Sequence, residues 1–201
     1  WSPSASLSPS ASVSPSTSPS EEGVTYATWN PSDKNSGITL SSGDLLAYRD
    51  GTYYTAGVRS TVGKSSGKWY WELYFLYDPG DYCDLGAGRS TVPLDGLVGG
   101  SSYGWSYRNW DGHKSNGTVD SAYGSAFSSD VIIGVALDMD NGRIYFSRNG
   151  TWQNSGDPAA GTGYAYDGLS GTIYAMLAMY TDGSMMLANF GASAFSYTVP
   201  S

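Results

Sequence analysis

Residues 131–148 read VIIGVALDMDNGRIYFSR, and this stretch decides the fold class. Val131 to Leu137 is a continuous apolar run, as expected for a strand that is covered on both faces. Arg143 to Arg148 alternates apolar and more polar residues, which is the period of a strand. Asn141 and Gly142 lie between these segments and readily adopt the positive φ angles of a tight turn. The stretch therefore predicts an antiparallel β-hairpin.

Strand signals of the same kind continue along the chain from about Gly23. Short apolar or aromatic segments are separated by clusters of Gly, Asn, Asp and Ser, with a turn signal about every eight to twelve residues. This spacing is typical of a two-sheet antiparallel β-sandwich, so the predicted fold class is all-β. The final two segments are predicted to pair as a hairpin around Thr181 to Gly183. Besides the two strands of residues 131–148, the predicted strands are Tyr26–Trp29, Ile38–Leu40, Leu45–Tyr48, Ala56–Thr61, Lys68–Leu76, Tyr174–Met179 and Met185–Asn189.

The composition excludes several classes of protein. The 201 residues include 27 Gly and 17 Tyr but only 14% charged residues, which does not suit a helical bundle. A net charge of -8 argues against binding to a phosphate backbone, and no run is long enough to insert into a membrane. Cys83 is the only cysteine, so an internal disulfide is excluded. Its thiol is expected to be inert. His113 is the only histidine, which excludes a site with several histidine ligands.

Residues 1–22 differ in composition from residues 23–201, and we place a domain boundary between them. Every even position from Ser2 to Ser20 is serine, and the odd positions follow a six-residue repeat. Such Ser/Pro-rich sequence favours an extended polyproline II conformation, so the fold is predicted to carry an N-terminal extended segment. We interpret this segment as a stalk, either a spacer that carries glycans or a strand for self-assembly. The residues of the repeat assigned to assembly or glycosylation are Trp1, Pro3, Leu7, Pro9, Val13 and Pro15.

The stalk, the negative charge and the near-absence of cysteine favour an exposed, extracellular location in a microbe or virus, because a secreted eukaryotic domain of this size would more often carry disulfides. A start at Trp1 rather than Met predicts a processed or truncated piece of a longer chain. Two Asn-Gly-Thr sequons, at Asn116 and Asn149, could accept N-glycans, although Asn149 reads equally well as part of a hairpin turn. The Ser/Pro stalk is similar to those of bacterial and phage surface proteins, which predicts a surface fibre.

Five blocks of sequence follow one another in the order of a known family. They read GKWYWE (67–72), GWSY (104–107), DVIIGVALD (130–138), NGRIYFSRNG (141–150) and NFG (189–191). Through these blocks, residues 67–200 resemble the SPRY domain family, and residues 24–66 resemble the strands that precede its core. The resemblance implies a bent, lectin-like sandwich. It also implies a non-enzymatic module that presents loops at one end to a peptide or protein.

The resemblance also implies where a ligand binds. In family members, the residue before a Leu-Gly step and aromatic residues after a Gly-Trp pair line the binding face, which implies Asp84 and Tyr107 here and extends to Trp110. Tyr107 is expected to face outward, and the tryptophan two residues before it inward. Tyr82 and Asp111 adjoin these positions and complete the predicted ligand-binding set. Trp and Tyr offer large, rigid contact areas with a polar tip, which suits recognition of peptides or sugars.

Three non-enzymatic functions remain open from the sequence. The first is an extracellular binding or adhesion module, or the globular head of a surface fibre, with the stalk as spacer or assembly strand. The second is a structural fibril subunit that polymerises, or is coated with glycans, through the Ser/Pro tail. The third is a carbohydrate-binding module, because exposed aromatic residues on a lectin-like sandwich can stack on sugars.

No catalytic, metal or cofactor site is expected. Glu72 is the only glutamate in residues 23–201, and no base and nucleophile are paired in the sequence. Asp78, Asp81 and Asp84 form an acidic loop that could offer oxygen ligands to Ca²⁺. Calcium loops need more ligands at closer spacing, so we interpret this loop as a solvated turn.

Overall fold

The computed structural model describes residues 26–51, 54–80 and 82–200. Within these residues the protein is all-β, as predicted, and no helix is long and apolar enough to cross a membrane. The predictions for residues 1–22, including every assembly and glycosylation position, lie outside the described residues.

Fourteen strands and two single-turn 3-10 helices make up the described fold. The strands are β1 (Trp29–Lys34), β2 (Ile38–Ser41), β3 (Leu46–Arg49), β4 (Ala56–Lys64), β5 (Lys68–Tyr77), β6 (Cys83–Gly88), β7 (Gly104–Arg108), β8 (His113–Asn116), β9 (Val119–Ala122), β10 (Val131–Asp138), β11 (Arg143–Arg148), β12 (Thr151–Trp152), β13 (Ile173–Met179) and β14 (Met185–Asn189). The 3-10 turns are Val98–Gly100 and Gln153–Ser155.

The strands form two seven-stranded antiparallel sheets. Sheet A has the order β1-β4-β13-β6-β7-β8-β9, and sheet B has the order β12-β11-β10-β5-β14-β3-β2. The two sheets form the sandwich that the turn spacing predicted. The β10–β11 hairpin is also confirmed, with Val135 opposite Phe146 and, on its other side, opposite Trp71 of β5.

The hydrophobic core lies between the two sheets. Inward-facing residues alternate along the central strands, because successive side chains of a strand point to opposite faces. Sheet B contributes Leu73, Phe75 and Val135, and sheet A contributes Leu85 and Leu177, all fully buried. Strand β10 is buried along almost its whole length, as its unbroken apolar sequence indicated.

The predicted hairpin between the last two strands is wrong. β13 belongs to sheet A, where it pairs with β4 on one side and β6 on the other, whereas β14 pairs with β3 and β5 in sheet B. Both edges of β13 are therefore occupied, and the connection around Thr181 to Gly183 crosses from one sheet to the other. The first strand is also displaced from its predicted position, because β1 begins at Trp29 and continues through Pro31 on the edge of sheet A.

Gly104 provides a test of how the Val98–Gly100 turn packs on sheet A. A Cβ atom at Gly104 would lie 1.9 Å from the Val98 carbonyl oxygen, so that Gly104→Ala must displace backbone. We expect this variant to lower the free energy of unfolding by about 1–3 kcal/mol or more, as overpacking does. Urea unfolding followed by tryptophan fluorescence measures the change.

Gly96→Ala is the matched control, because a Cβ atom there meets no heavy atom within 4 Å. We expect its stability to stay within about 0.5 kcal/mol of the parent. Equal stability of the two variants would show that the turn does not pack on β7 as described.

Candidate binding surface

Three aromatic side chains meet at one end of sheet A, and we call them the aromatic patch: Tyr82, Trp110 and Tyr180. Tyr82 directly precedes β6, Trp110 follows the end of β7, and Tyr180 follows the end of β13. Because β6 runs antiparallel to both β7 and β13, its start lies beside the ends of these two strands. The topology of sheet A therefore brings together three residues that are far apart in sequence.

The rings of the aromatic patch are in direct contact. Tyr82 and Trp110 stack with their centroids 4.1 Å apart and their planes at 7°. Tyr180 meets the Tyr82 ring edge-on at 5.3 Å, and its backbone N–H donates to the Tyr82 carbonyl at 3.1 Å. Tyr82 remains 39% exposed. Tyr82 thus exposes part of the packed aromatic patch to solvent.

A group of charged residues borders the aromatic patch. The Arg108 guanidinium lies 4.8 Å from the centre of the Trp110 ring and forms ion pairs with Asp111 at 2.5 Å and Asp120 at 2.7 Å. Nδ1 of His113 lies 2.7 Å from Asp120. Hydrogen bonds from His113 and then Arg108 lower the pKa of the Asp120 carboxyl. The positive charge of Arg108 is therefore compensated within the protein.

A buried hydrogen-bond network lies beneath the aromatic patch. The Asp78 carboxylate accepts one hydrogen bond from the Asn109 side-chain amide at 2.6 Å and another from the Ser184 hydroxyl at 2.7 Å. The Asn109 side-chain oxygen in turn accepts the backbone N–H of Cys83 at 2.7 Å. These four buried residues join the end of β5, the start of β6, the end of β7 and the start of β14. They hold the segments that carry the three rings.

The structure brings three of the five predicted ligand-binding residues to this surface. Tyr82 and Trp110 form the stacked pair, and Asp111 lies beside them with its side chain 29% exposed. Contact of these residues with a ligand stays a prediction.

Asp84 and Tyr107, the other two predicted residues, are fully buried and cannot contact a ligand at the surface. The outward placement of Tyr107 is wrong because residues two apart in a strand share a face, so that Tyr107 joins Trp105 in the core. Its hydroxyl donates to the carbonyl of Ser125. The Asp84 carboxylate instead accepts the backbone N–H groups of the Val98–Gly100 turn, from Val98 and from its neighbour, each at 3.0 Å.

The acidic loop is not the solvated turn predicted from the sequence. Asp78 is 5% exposed and Asp84 is fully buried, and the two carboxylates serve separate hydrogen-bond networks. Asp81 lies outside the described residues. Across the part of the chain that the structure describes, no three acidic, histidine or cysteine side chains cluster as a metal site. Burial, followed by the charge of Asp78, raises the pKa of the Cys83 thiol, which suits an inert cysteine.

Sequence reasoning missed Tyr180 and the polar residues below the aromatic patch, Asn109 and Ser184. Tyr180 directly follows the predicted strand Tyr174–Met179, but placing it beside Tyr82 also requires β6, which was not among the predicted strands. Asn109 and Ser184 carry no local signal, because their partner Asp78 is distant in sequence.

Comparison with known proteins assigns the chain to one family. The family model described as SPRY domain matches residues 68–192. Ran-binding protein 9 of Xenopus laevis is 29% identical over 181 residues, which cover 86% of this chain and 31% of that protein. Ran-binding protein 10 of Danio rerio is 27% identical over 188 residues, which cover 89% of this chain and 30% of that protein. The chain thus spans about a third of the length of these curated relatives.

The solved structures agree on the fold. The crystal structure of the SPRY domain of human HERC1 matches with a TM-score of 0.66 at 19% sequence identity, and it covers 83% of this chain and 99% of that chain. A second structure, of a human SPRY domain, matches with a TM-score of 0.62 at 15% identity, over 79% of this chain and 98% of that chain.

These relatives correct the predicted location. The predicted extracellular location on a bacterial or phage fibre is wrong, because relatives that match 86–89% of this chain are Ran-binding proteins of vertebrates rather than microbial surface proteins. Adhesion, a fibre-head or fibril role, glycan binding and self-assembly find no support among the relatives either. A peptide or protein partner does, because SPRY domains are protein–protein interaction modules.

The buried Asp84 generates a test by pH. Burial raises the pKa of its carboxyl from 3.8 to about 6, although its backbone hydrogen bonds act in the opposite direction. Between these values the folded protein keeps a proton that the unfolded chain has released. The contribution of the Asp84 carboxyl to the free energy of unfolding is therefore fully present at low pH and is lost as the pH rises to about 6. The shift corresponds to roughly 3 kcal/mol.

Asp84→Asn should remove this part of the pH dependence. Between pH 4 and pH 7, the free energy of unfolding of the parent should fall relative to that of Asp84→Asn, as measured by urea unfolding at each pH. The exposed Asp95→Asn serves as control and should follow the parent. Parallel pH profiles of the parent and Asp84→Asn would contradict the assignment.

Proposed function

The chain belongs to the SPRY domain family, and from that premise we propose that it is a peptide-binding module whose contact surface is the aromatic patch together with Asp111. SPRY domains are protein–protein interaction modules, and the relatives are named for binding a protein. The proposal places a partner segment across the exposed Tyr82 ring and along the edge of Trp110.

The stacking of Tyr82 on Trp110 above a buried polar network is the observation that carries this proposal. Tyr and Trp dominate the binding energy of protein interfaces, because each buries a large area and loses few rotamers. A contact surface that is already ordered before binding pays less conformational entropy when the partner arrives. The network below Tyr82 and Trp110 supplies that order.

Selection of short random peptides against the full chain tests the proposal. Peptides displayed on phage are selected on residues 1–201, and the affinity of the best synthetic peptide is then measured by isothermal titration calorimetry. We expect Trp110→Ala and Tyr82→Ala each to weaken binding by at least about tenfold, or ~1.4 kcal/mol. Circular dichroism checks that both variants remain folded.

Trp69→Ala is the matched control. Trp69 is 40% exposed, close to the value for Tyr82, but it lies at the start of β5, at the opposite end of the sandwich. Its replacement should leave the peptide affinity unchanged. Peptides that bind the folded Trp110→Ala and Tyr82→Ala variants as tightly as the parent would place the contact surface elsewhere.

A further inference from the structure

Arg148 occupies an unusual position at the end of β11. Alternate residues of a strand share a face, so Arg148 lies on the same face as Ile144 and Phe146. Both of these residues are fully buried in the core between the sheets. The strand thus ends by placing a cation on its core-facing side, where the sandwich opens toward solvent.

A small pocket opens at this point. Its volume is about 220 Å³, and it shares Trp110 with the aromatic patch. The lining consists of Asn109, Trp110, Ala126, Phe127, Ser128 and Arg148.

Arg148 has no partner for its charge among residues 26–51, 54–80 and 82–200. Its side chain forms no ion pair or hydrogen bond there, and its Nε atom is buried without an acceptor. The other five arginines differ, because each is paired with a carboxylate, a carbonyl or a hydroxyl: Arg49, Arg59, Arg89, Arg108 and Arg143.

We propose that this pocket, which we call the Arg148 pocket, receives the carboxylate of an Asp or Glu side chain from the partner peptide. The inference rests on the proposed function, because the same peptide would contact Trp110. A partly buried cation without a partner is costly, and a carboxylate that enters the pocket supplies the missing charge. The planar guanidinium matches a carboxylate in shape and in its hydrogen-bond donors.

The surroundings of the pocket favour a carboxylate over other ligands. The exposed Ser128 can donate a further hydrogen bond from its hydroxyl, whereas the Asn109 side chain is already engaged with Asp78 and Cys83. Phosphate groups are recognised by clusters of arginines, but Arg108 is neutralised by its own ion pairs, which leaves a single uncompensated guanidinium.

A double-mutant cycle on the selected peptides tests the inference. Each peptide that depends on Trp110 is synthesised with its acidic residues as selected and with Asn or Gln in their place. We expect one such replacement to weaken binding to the parent chain by about tenfold or more, as loss of a buried charge pair does. Against Arg148→Met, the acidic and neutral peptides should bind equally well.

Two further variants separate the pocket from general effects of charge and folding. Arg148→Lys keeps a cation and should retain part of the preference for the acidic peptide. Arg143→Met removes a positive charge from the same strand, although that side chain is engaged with the Gly161 carbonyl and the Tyr164 ring. It should leave the preference intact.

The outcomes distinguish this inference from the proposed function. In one outcome, the peptides depend on Trp110 while the parent and Arg148→Met show the same preference for acidic over neutral peptides; in another, they depend on Trp110 while neither protein shows a preference. In both cases the carboxylate site is wrong and the peptide-binding role stands. If no selected peptide depends on Trp110 or Tyr82, the proposed function fails and this inference fails with it.

Discussion

The position of the aromatic patch depends on the buried carboxylate of Asp78, which binds the side chains of Asn109 and Ser184 at the same time. Burying a carboxylate is costly unless hydrogen bonds replace its water, and here two side chains do so. Each of these partners belongs to a different connection, so that the carboxylate fixes connections from both sheets relative to one another. The stacked rings of Tyr82 and Trp110 are ordered because the chain beneath them is ordered. Networks of this kind are cooperative, so loss of one member loosens the rest.

The candidate surface combines two kinds of interaction with different uses. The aromatic rings offer apolar area, which supplies affinity but distinguishes poorly between partners. The Arg148 pocket offers one uncompensated charge, which supplies little apolar area but discriminates between acidic and neutral partners. The aromatic patch and the Arg148 pocket are adjacent, because Trp110 belongs to both. A partner would therefore need a flat apolar group and a carboxylate at a fixed distance from each other.

Local signals in the sequence were sufficient for most of the strands and for the β10–β11 hairpin, because a turn residue and its flanking strands are neighbours in the chain. The pairing of β13 and β14 was not predictable in this way, since each strand pairs with partners distant in sequence. The candidate site was predicted in part. Tyr82 and Trp110 were found through the resemblance to the family and their closeness in sequence to Asp84 and Tyr107. The burial of Asp84 was not foreseen, because it follows from a turn more than ten residues away. The location was inferred from the Ser/Pro composition of residues 1–22, the negative charge and the near-absence of cysteine, which are properties that many unrelated chains share.

The accessibility of the Cys83 thiol reports on local opening of the folded protein. Cys83 is the only cysteine of the chain, it is fully buried, and its backbone N–H is bonded to Asn109 under the aromatic patch. A thiol reagent can reach it only when the segments around the patch separate. The rate of thiol labelling therefore measures how often the surface opens, without a dye or an engineered site. A partner that binds the aromatic patch and holds these segments together would lower the rate of thiol labelling.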